Sequence, residues 1–223
     1  MDRIIDNYFN VTVLAAALPP VLHGFLITVE VALCVIAGGL LAGLGLALLR
    51  CAAIRPLDLL ITIYVDLFRT LPQLVVMIFL YFGLPYLGPT LSPFATVVMA
   101  LGAVLSAFAA EIFWSAIQAL PRGQWDAARA LGLKPLPILF LVILPQAVRL
   151  ATPLLTNRAI AITKGTALGT AVALPETLGS AQSVMSITAN PSPLTLAAAL
   201  YLCFFIPLVV ASRAIERRVA KTG

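Results

Sequence analysis

Charged residues are scarce in this chain. They make up 10% of its 223 residues, whereas hydrophobic residues make up 61%. A soluble domain of this length needs many more charged side chains to cover its surface, so the composition excludes an ordinary soluble protein. The formal net charge is +5, but the basic residues lie between apolar runs, which argues against nucleic acid as a partner. The composition predicts an integral membrane protein.

Several chemical motifs are also missing. The three cysteines do not have metal-ligand spacing, and His23, the single histidine, has no partner for a metal site. A phosphate loop of the form Gly-x-x-x-x-Gly-Lys-Ser/Thr does not occur around any of the lysines. The first ten residues do not have the pattern of a removable signal peptide. We therefore predict a chain that is not an enzyme, binds no metal or cofactor and keeps its first apolar run as a span.

Five apolar runs are long enough, or nearly so, to cross a bilayer. We expect the spans at about 24–49, 71–86, 94–119, 152–178 and 194–212. The first contains "GLLAG", residues 39–43, a spacing of small residues that permits close packing of helices. Pro72 predicts a bend where the second begins, and polar residues interrupt the fourth. The sequence therefore predicts an all-α, polytopic membrane protein with five transmembrane helices.

Basic residues near the span ends predict the orientation, because they concentrate on the cytoplasmic side. With five crossings, most of them fall on one side: Arg50, Arg55, Arg122, Arg129, Lys134, Arg149, Arg213, Arg217, Arg218 and Lys221. The N-terminus is then outside and the C-terminus is cytoplasmic. We divide the chain into an extracytoplasmic segment (1–20), a transmembrane domain (21–214) and a cytoplasmic tail (215–223).

The longest inner connection, residues 120–149, contains a short predicted helix. The segment "QWDAARAL" consists of good helix formers, Gly132 follows where a left-handed cap is expected, and two prolines come next. Gln124, Ala127, Ala128 and Leu131 share one face at helical spacing. A helix this short needs a surface to hold it. Composition alone leaves open whether that surface is a protein or the lipid headgroups.

The same segment carries a longer pattern. Asp126-Ala127-Ala128 is followed by Gly132, then Val142, then Leu144-Pro145. This resembles the motif of ABC importer membrane subunits, in which Glu-Ala-Ala is followed at the same spacings by Gly, Ile and Leu-Pro. The segments "FRTLPQLVVMIFLYFGLP" and "LPQAVRLATPLLTN" resemble the polar amino acid permeases of the histidine/glutamine type. The resemblance covers residues 20–215 and implies the type I ABC importer permease fold.

The resemblance implies that the short helix is a coupling helix that docks on a cytoplasmic ATPase. Its expected coupling residues are Gly123, Gln124, Asp126, Ala127, Ala128, Arg129, Leu131 and Gly132. The implied partners are a second permease subunit, identical or homologous, two ATPase subunits that bind ATP and Mg, and an extracytoplasmic amino-acid-binding protein. The implied location is the bacterial inner membrane.

Ionisable groups at membrane depth are candidates for a transport path. Expected path residues are Glu111, Thr163, Lys164, Thr166 and Glu176, since span four is too polar to face lipid. Glu111 is alternatively the partner of a neighbouring basic group. Glu30 is expected to be water-facing at the outer end of span one, whereas Arg69, Pro72 and Pro145 are expected to be structural.

The chain departs from the family pattern in span four. The family commonly has Lys-Asp-Thr-Ser-Leu where this chain has Lys164-Gly165-Thr166-Ala167-Leu168, and Trp114 stands where it often has Arg. Two polar side chains are therefore absent, and we consider a heterodimer whose partner carries the recognition groups. The resulting hypothesis is an ATP-driven permease subunit for polar amino acids that works by alternating access. The alternatives are an ion-gradient-driven transporter or channel subunit, and a structural membrane anchor.

Overall fold

The computed structural model describes residues 2–222, and the side chains of 4–217. These residues form helices and no strand, which confirms the all-α prediction. The α-helical segments are α1 (Asp2–Tyr8), α2 (Val11–Arg50), α3 (Arg55–Thr70), α4 (Gln73–Ile78), α5 (Pro93–Ala119), α6 (Arg122–Ala130), α7 (Pro135–Pro137), α8 (Leu144–Thr163), α9 (Thr177–Thr188) and α10 (Ser192–Thr222). Tighter 3-10 turns extend α4 at Leu84–Leu87 and α8 at Lys164–Val172.

The helices provide the expected spans. Four are long and apolar enough to cross a membrane by themselves: Ile4–Arg50, Pro93–Ala119, Pro135–Val172 and Ser192–Arg217. A fifth span is formed if Arg55–Thr70 and Gln73–Leu87 are taken together, and these two are bent by 107°. Since Pro72 lies at the break and is the N-cap of α4, the proline explains the bend.

Three spans differ in extent from the sequence-based expectation. The second was expected over 71–86, but the bent pair that forms it begins at Arg55. The first begins well before residue 24, because α2 continues through Pro19 and Pro20. The fourth was expected over 152–178, but its helical run is Pro135–Val172. Pro135 and Pro137 end the preceding helix as expected and also begin this one, where a missing N–H costs nothing.

Helices α2 and α5 pack closely at the centre of the fold. A Cβ at Gly39 would lie 2.8 Å from Leu105, and one at Gly43 would lie 2.5 Å from the Cβ of Ala109. Bulky residues of α2 such as Leu26, Leu33 and Leu41 are exposed instead. Small residues between helices and large ones toward lipid are typical of membrane bundles. The predicted close-packing role of "GLLAG" is confirmed.

Two spans contain a π-helical stretch with wider turns, at Phe79–Gly83 and Ile138–Ile143. Each is followed two residues later by a proline, Pro85 or Pro145. A proline donates no backbone hydrogen bond, and its ring displaces the carbonyl of the preceding turn. The wider turns accommodate these prolines, which supports the structural role expected of Pro145.

Besides the α2–α5 contact, a second apolar cluster lies where α2, α5, α6 and α8 meet. Its buried residues include Ala47, Phe113, Ile117, Ala128, Ile143 and Ala147. Trp125 and Leu133 pack against the same cluster. This cluster attaches the short helix α6 to the membrane bundle and fixes where its other faces point.

Candidate functional site

The short helix α6 ends in a well-formed cap. Gly132 has φ +77, in the left-handed region, so the predicted glycine cap is confirmed. The Leu133 N–H donates to the Ala128 carbonyl at 3.2 Å, and the Gly132 N–H donates to the Arg129 carbonyl at 2.9 Å. These two bonds form a Schellman motif, which satisfies carbonyls that the helix end leaves free. The cap turns the chain sharply from α6 toward α7.

The faces of α6 differ from the expected arrangement. Gln124, Ala127 and Leu131 are exposed, with Leu131 at 81% of its maximum, but Ala128 is only 4% exposed. Ala128 lies on the inner face with Trp125, three residues earlier, and both pack on the second apolar cluster. Ala128 is therefore not exposed together with Gln124, Ala127 and Leu131, although helical spacing groups the four on one face. Its small side chain lets α6 approach the bundle.

Polar contacts also hold α6. The Gln146 side chain on α8 donates to the Gln124 side chain at 3.3 Å and to the Val142 carbonyl at 2.7 Å. Asp126 and Arg129 form an ion pair at 3.1 Å, but both are about two-thirds exposed, so the pair adds little stability. Asp126 and Arg129 also line a cavity of about 520 Å³ with Trp125. The charged side of α6 thus remains available to a partner.

The expected path residues in span four do not all face open space. Thr163, Thr166 and Glu176 are each at most 1% exposed, whereas Lys164 is exposed. The Thr163 hydroxyl donates to the Ala159 carbonyl of its own helix at 2.9 Å. The three enclosed side chains are buried within this chain, and their expected place on the transport path stays a prediction. Lys164 lies with its Nζ atom 5.7 Å from the centre of the Phe205 ring.

Glu176 is the centre of a buried polar cluster. Its carboxylate accepts from the Gly179 N–H at 2.9 Å, as the N-cap of α9. It also accepts hydrogen bonds from the hydroxyls of Thr28 at 3.2 Å, Thr170 at 3.1 Å and Tyr201 at 2.5 Å. These donors come from α2, the extension of α8 and α10. A carboxylate with its acceptor sites filled can be buried, so Glu176 joins these helices.

Gly165, one of the two departures in span four, lies against the start of α4. A Cβ on Gly165 would collide with the side-chain oxygen of Gln73, at the start of α4. The Gln73 side chain therefore occupies the space that a larger residue 165 would need. Neighbouring Thr166 is completely buried, and its hydroxyl has no hydrogen-bond partner among the described residues. The break in span two and the change to 3-10 turns in span four meet at this point.

A cluster of charges lies toward the other end of the bundle. Arg50, with a side chain 12% exposed, pairs with Asp58 at 2.8 Å and with Glu111 at 3.4 Å. Arg69 lies 3.8 Å from the same oxygen of Glu111. The alternative of a basic partner for Glu111 is therefore observed. Arg50 also lies 4.8 Å from the ring centre of Trp114.

Next to Arg50, burial raises the pKa of the Cys51 thiol above its usual value. This thiol donates to the Ala47 carbonyl at 3.4 Å. A raised pKa keeps it protonated at neutral pH, and a protonated thiol is a poor nucleophile. Cys51 is therefore a packing residue at the end of α2.

Sequence reasoning missed several residues of these clusters. Thr28 and Tyr201 are remote in sequence from Glu176, and no local pattern connects them. Arg158 lies 4.0 Å from the ring centre of Phe108, and Arg69 lies 5.4 Å from it. In the sequence, Arg158 is one of the polar residues that interrupt span four. The signal that could have found it is an arginine on the outward stripe of α8, one helical turn after Leu154.

Known proteins resemble this chain over most of its length. The family model described as "Binding-protein-dependent transport system inner membrane component" matches residues 39–221. The probable glutamine ABC transporter permease protein GlnP of Bacillus subtilis (strain 168) is 36% identical over 199 residues, covering 87% of this chain and 91% of GlnP. The arginine ABC transporter permease protein ArtQ of Escherichia coli (strain K12) is 30% identical, covering 78% and 84%.

Solved structures agree with these relatives. An amino acid ABC transporter crystallised with histidines has a chain with a TM-score of 0.83 and 30% identity, covering 92% of this chain and 96% of that one. A chain of the MetNI methionine ABC transporter, in an inward-facing conformation, has a TM-score of 0.69 at 22% identity, covering 91% and 95%. The second likeness concerns the fold alone. The chain thus belongs to the family of binding-protein-dependent transport system inner membrane components, the membrane permeases of ABC importers.

Proposed function

We propose that this chain is the permease subunit of an ATP-driven importer that carries polar amino acids into the cell by alternating access. The relatives GlnP and ArtQ are named for glutamine and arginine, which supports an amino acid as the substrate. The chain itself hydrolyses no ATP. A separate cytoplasmic ATPase binds ATP and Mg, and α6 is the helix that couples the two proteins.

The geometry of α6 is the single observation that carries this proposal. One face, with Trp125 and Ala128, packs on the membrane bundle, and the opposite side exposes Ala127 and Leu131. An exposed leucine beside small residues on a short, capped helix is more stable in a cleft of a protein partner than in contact with water. A helix held in this way transmits movement of that partner to α5 and α8.

The remaining partners follow from the same function. A second permease, identical or homologous, completes the path about a two-fold axis, because five spans are too few to surround a polar solute. Two ATPase subunits bind on the inner side, and an amino-acid-binding protein delivers substrate from outside. ATPase closure opens the path outward, and hydrolysis resets it inward. By linkage, the loaded binding protein also favours ATPase closure.

The proposed location is the bacterial inner membrane, with the N-terminus outside. Residues 1–20 lie at the outer side, the loop 120–149 faces the cytoplasm, and 215–223 form a cytoplasmic tail. Lys164 is the exposed candidate for the path, while Thr163, Thr166 and Glu176 support it from within the chain. Because Gly165 and Ala167 lack polar side chains, a different partner permease could supply further recognition groups.

A photo-crosslinking amino acid at Leu131 tests the proposal directly. In vesicles that transport amino acids, we expect it to capture an ATP-binding subunit, and a probe at Leu202 to capture none. Leu202 is a suitable control because it is also exposed but lies on α10, within the span. Uptake must require ATP and survive ionophores that collapse ion gradients. Gradient-driven uptake with no crosslink at Leu131 would establish the secondary-transporter alternative.

A further inference from the structure

Two arginines meet in a recess at the corner between α2 and α3. The recess has a volume of about 280 Å³ and lies where α2 ends and α3 begins, beside Trp114 of α5. Ala53, whose φ of +55 is in the left-handed region, lies in the turn that connects the two helices. The lining consists of Arg50, Ala53, Arg55, Asp58 and Trp114. This polar recess is separate from α6 and from the Glu176 cluster.

The charges around this recess do not balance. Arg50 pairs with Asp58 at 2.8 Å, which compensates the one carboxylate of the lining, and it shares Glu111 with Arg69. Two guanidinium groups thus meet two carboxylates. Arg55 is exposed, and no carboxylate in the described part of the chain lies within 4.0 Å of it. Arg55 therefore adds one positive charge that an anion in the recess would balance.

Arg50 keeps a donor for the same anion. Its Nε atom donates to Asp58 and its Nη1 atom donates to Glu111, but none of its described contacts uses Nη2. The ring centre of Trp114 lies 4.8 Å from the guanidinium carbon, and this contact helps to hold the group in place. A guanidinium donates in a planar fork that matches the oxygens of a phosphate. One held and one exposed arginine are therefore complementary to a phosphate group.

The surroundings of the recess distinguish a lipid phosphate from a dissolved one. Three large apolar side chains that adjoin lining residues in the chain are about half exposed or more: Leu49, Ile54 and Leu59. Acyl chains bury such apolar surface, whereas a dissolved phosphate ion does not. Tryptophan, here Trp114, is also enriched at the level of the lipid headgroups. These features favour a lipid.

We propose that the recess at the α2–α3 corner binds the phosphate headgroup of an anionic lipid. Arg50 and Arg55 donate to the phosphate oxygens, and the exposed apolar side chains contact the acyl chains. This inference goes beyond the proposed function and uses only its orientation, in which the corner lies at the cytoplasmic surface. Basic pockets between helices on that side are typical sites for anionic headgroups. The bound lipid attaches the α2–α3 corner to the membrane surface.

Native mass spectrometry of the purified full chain, with the subunits that copurify, measures this binding. The probes are phosphatidylglycerol, phosphatidylcholine with the same acyl chains, and glycerol 3-phosphate, which has no acyl chain. We expect one phosphatidylglycerol to bind about fivefold more tightly than phosphatidylcholine. Glycerol 3-phosphate should bind at least about tenfold more weakly than phosphatidylglycerol, because it buries no acyl chain.

Two results with these probes would overturn the proposal without any variant. Equal affinity for the two lipids would mean that the recess does not select an anionic headgroup. Equal affinity for phosphatidylglycerol and glycerol 3-phosphate would assign the recess to a dissolved phosphate.

The variant R55Q removes the excess charge and leaves the ion pairs of Arg50 in place. We expect its affinity for phosphatidylglycerol to fall about fivefold, the loss for one basic residue at an anionic lipid surface. R55K should recover most of this loss, because lysine also binds phosphate. R149Q is the matched control, because Arg149 is exposed but does not line the recess. An equal loss in R149Q and R55Q would indicate a diffuse attraction and overturn the site.

Thermal unfolding separates lipid binding from a folding defect. Arg55 is exposed and forms none of the described ion pairs, so R55Q without lipid should unfold at the same temperature as the wild type. Phosphatidylglycerol should raise the melting temperature of the wild type more than that of R55Q, because a ligand of the folded state stabilises it. An equal rise in both would overturn the proposal.

These measurements require neither ATP nor transport, so the two proposals can fail separately. Binding of phosphatidylglycerol that depends on Arg55, in a protein that transports no amino acid with ATP, would overturn the proposed function alone. ATP-driven uptake by a protein that binds phosphatidylglycerol no better than phosphatidylcholine would overturn the lipid site alone.

Discussion

At the scale of single residues, glycines of α2 allow this helix to pack closely against α5 because they have no side chain. A Cβ added at Gly43 would lie within 2.9 Å of Ala109, Ser106 and Ala110, and two of these contacts are with backbone atoms that cannot rotate away. Gly45, two residues later, has open space around it. The sequence signals this contact through its small-residue spacing, since the pattern is local. The Glu176 cluster has no such signal, because its partners come from separate helices.

We expect Gly43→Ala to destabilise the protein by about 1–3 kcal/mol, because the added methyl group forces α2 and α5 apart. Gly45→Ala should leave stability unchanged or raise it slightly, because alanine favours helix and nothing obstructs its Cβ. Thermal unfolding of the two variants in the same detergent measures the difference. Equal melting temperatures would show that the α2–α5 contact is looser than described.

At the scale of elements, the position of α6 along the chain was predictable, but its orientation on the bundle was not. The sequence predicted α6 almost to its ends, because helix formers, a glycine cap and prolines act locally. It did not predict which alanine faces inward, because Trp125 and the second apolar cluster determine that orientation. The π-helical stretches were also missed. They depend on how a helix adjusts to Pro85 and Pro145 while remaining packed.

Two substitutions on α6 should therefore fail in different ways. Leu131→Asp places a charge on the exposed face, so we expect the permease to fold and insert but to lose copurification with its ATPase and most uptake. Ala128→Trp overfills the inner cluster, so we expect reduced amounts of folded permease. Fluorescence-detected size exclusion and ATPase copurification distinguish the two. A well-folded Ala128→Trp variant that has lost only the ATPase would return Ala128 to the docking face.

At the scale of the whole molecule, composition predicted the four long spans, because a long apolar run is stable mainly inside a membrane, and a fifth is formed if the bent pair counts as one span. The 107° break between Arg55–Thr70 and Gln73–Leu87 shows what composition leaves undetermined. Pro72 predicts a break but not its angle. That angle depends on packing against α5 and the extension of α8, including the contact of Gln73 with Gly165.

Orientation is tested by fusions at two points. Green fluorescent protein at the C-terminus should fluoresce, because the basic end of α10 is proposed to be cytoplasmic. Alkaline phosphatase inserted at Thr90, in the turn before α5, should be active because that turn is proposed to be outside. The reverse pattern would invert the topology and place α6 outside, where no ATP is available to an ATPase partner.

The helical run that begins just after α6 has a mechanical consequence. Only the turn at 131–134 separates α6 from the helical run Pro135–Val172. This single run carries Arg158, Lys164 and Gly165. In the proposed function, a displacement of α6 reaches this run through the turn at 131–134, and the first part of the run after Pro137 is the π-helical stretch Ile138–Ile143. On that proposal, the stiffness of the π-helical stretch limits how far a movement of the ATPase displaces Lys164, farther along the same run.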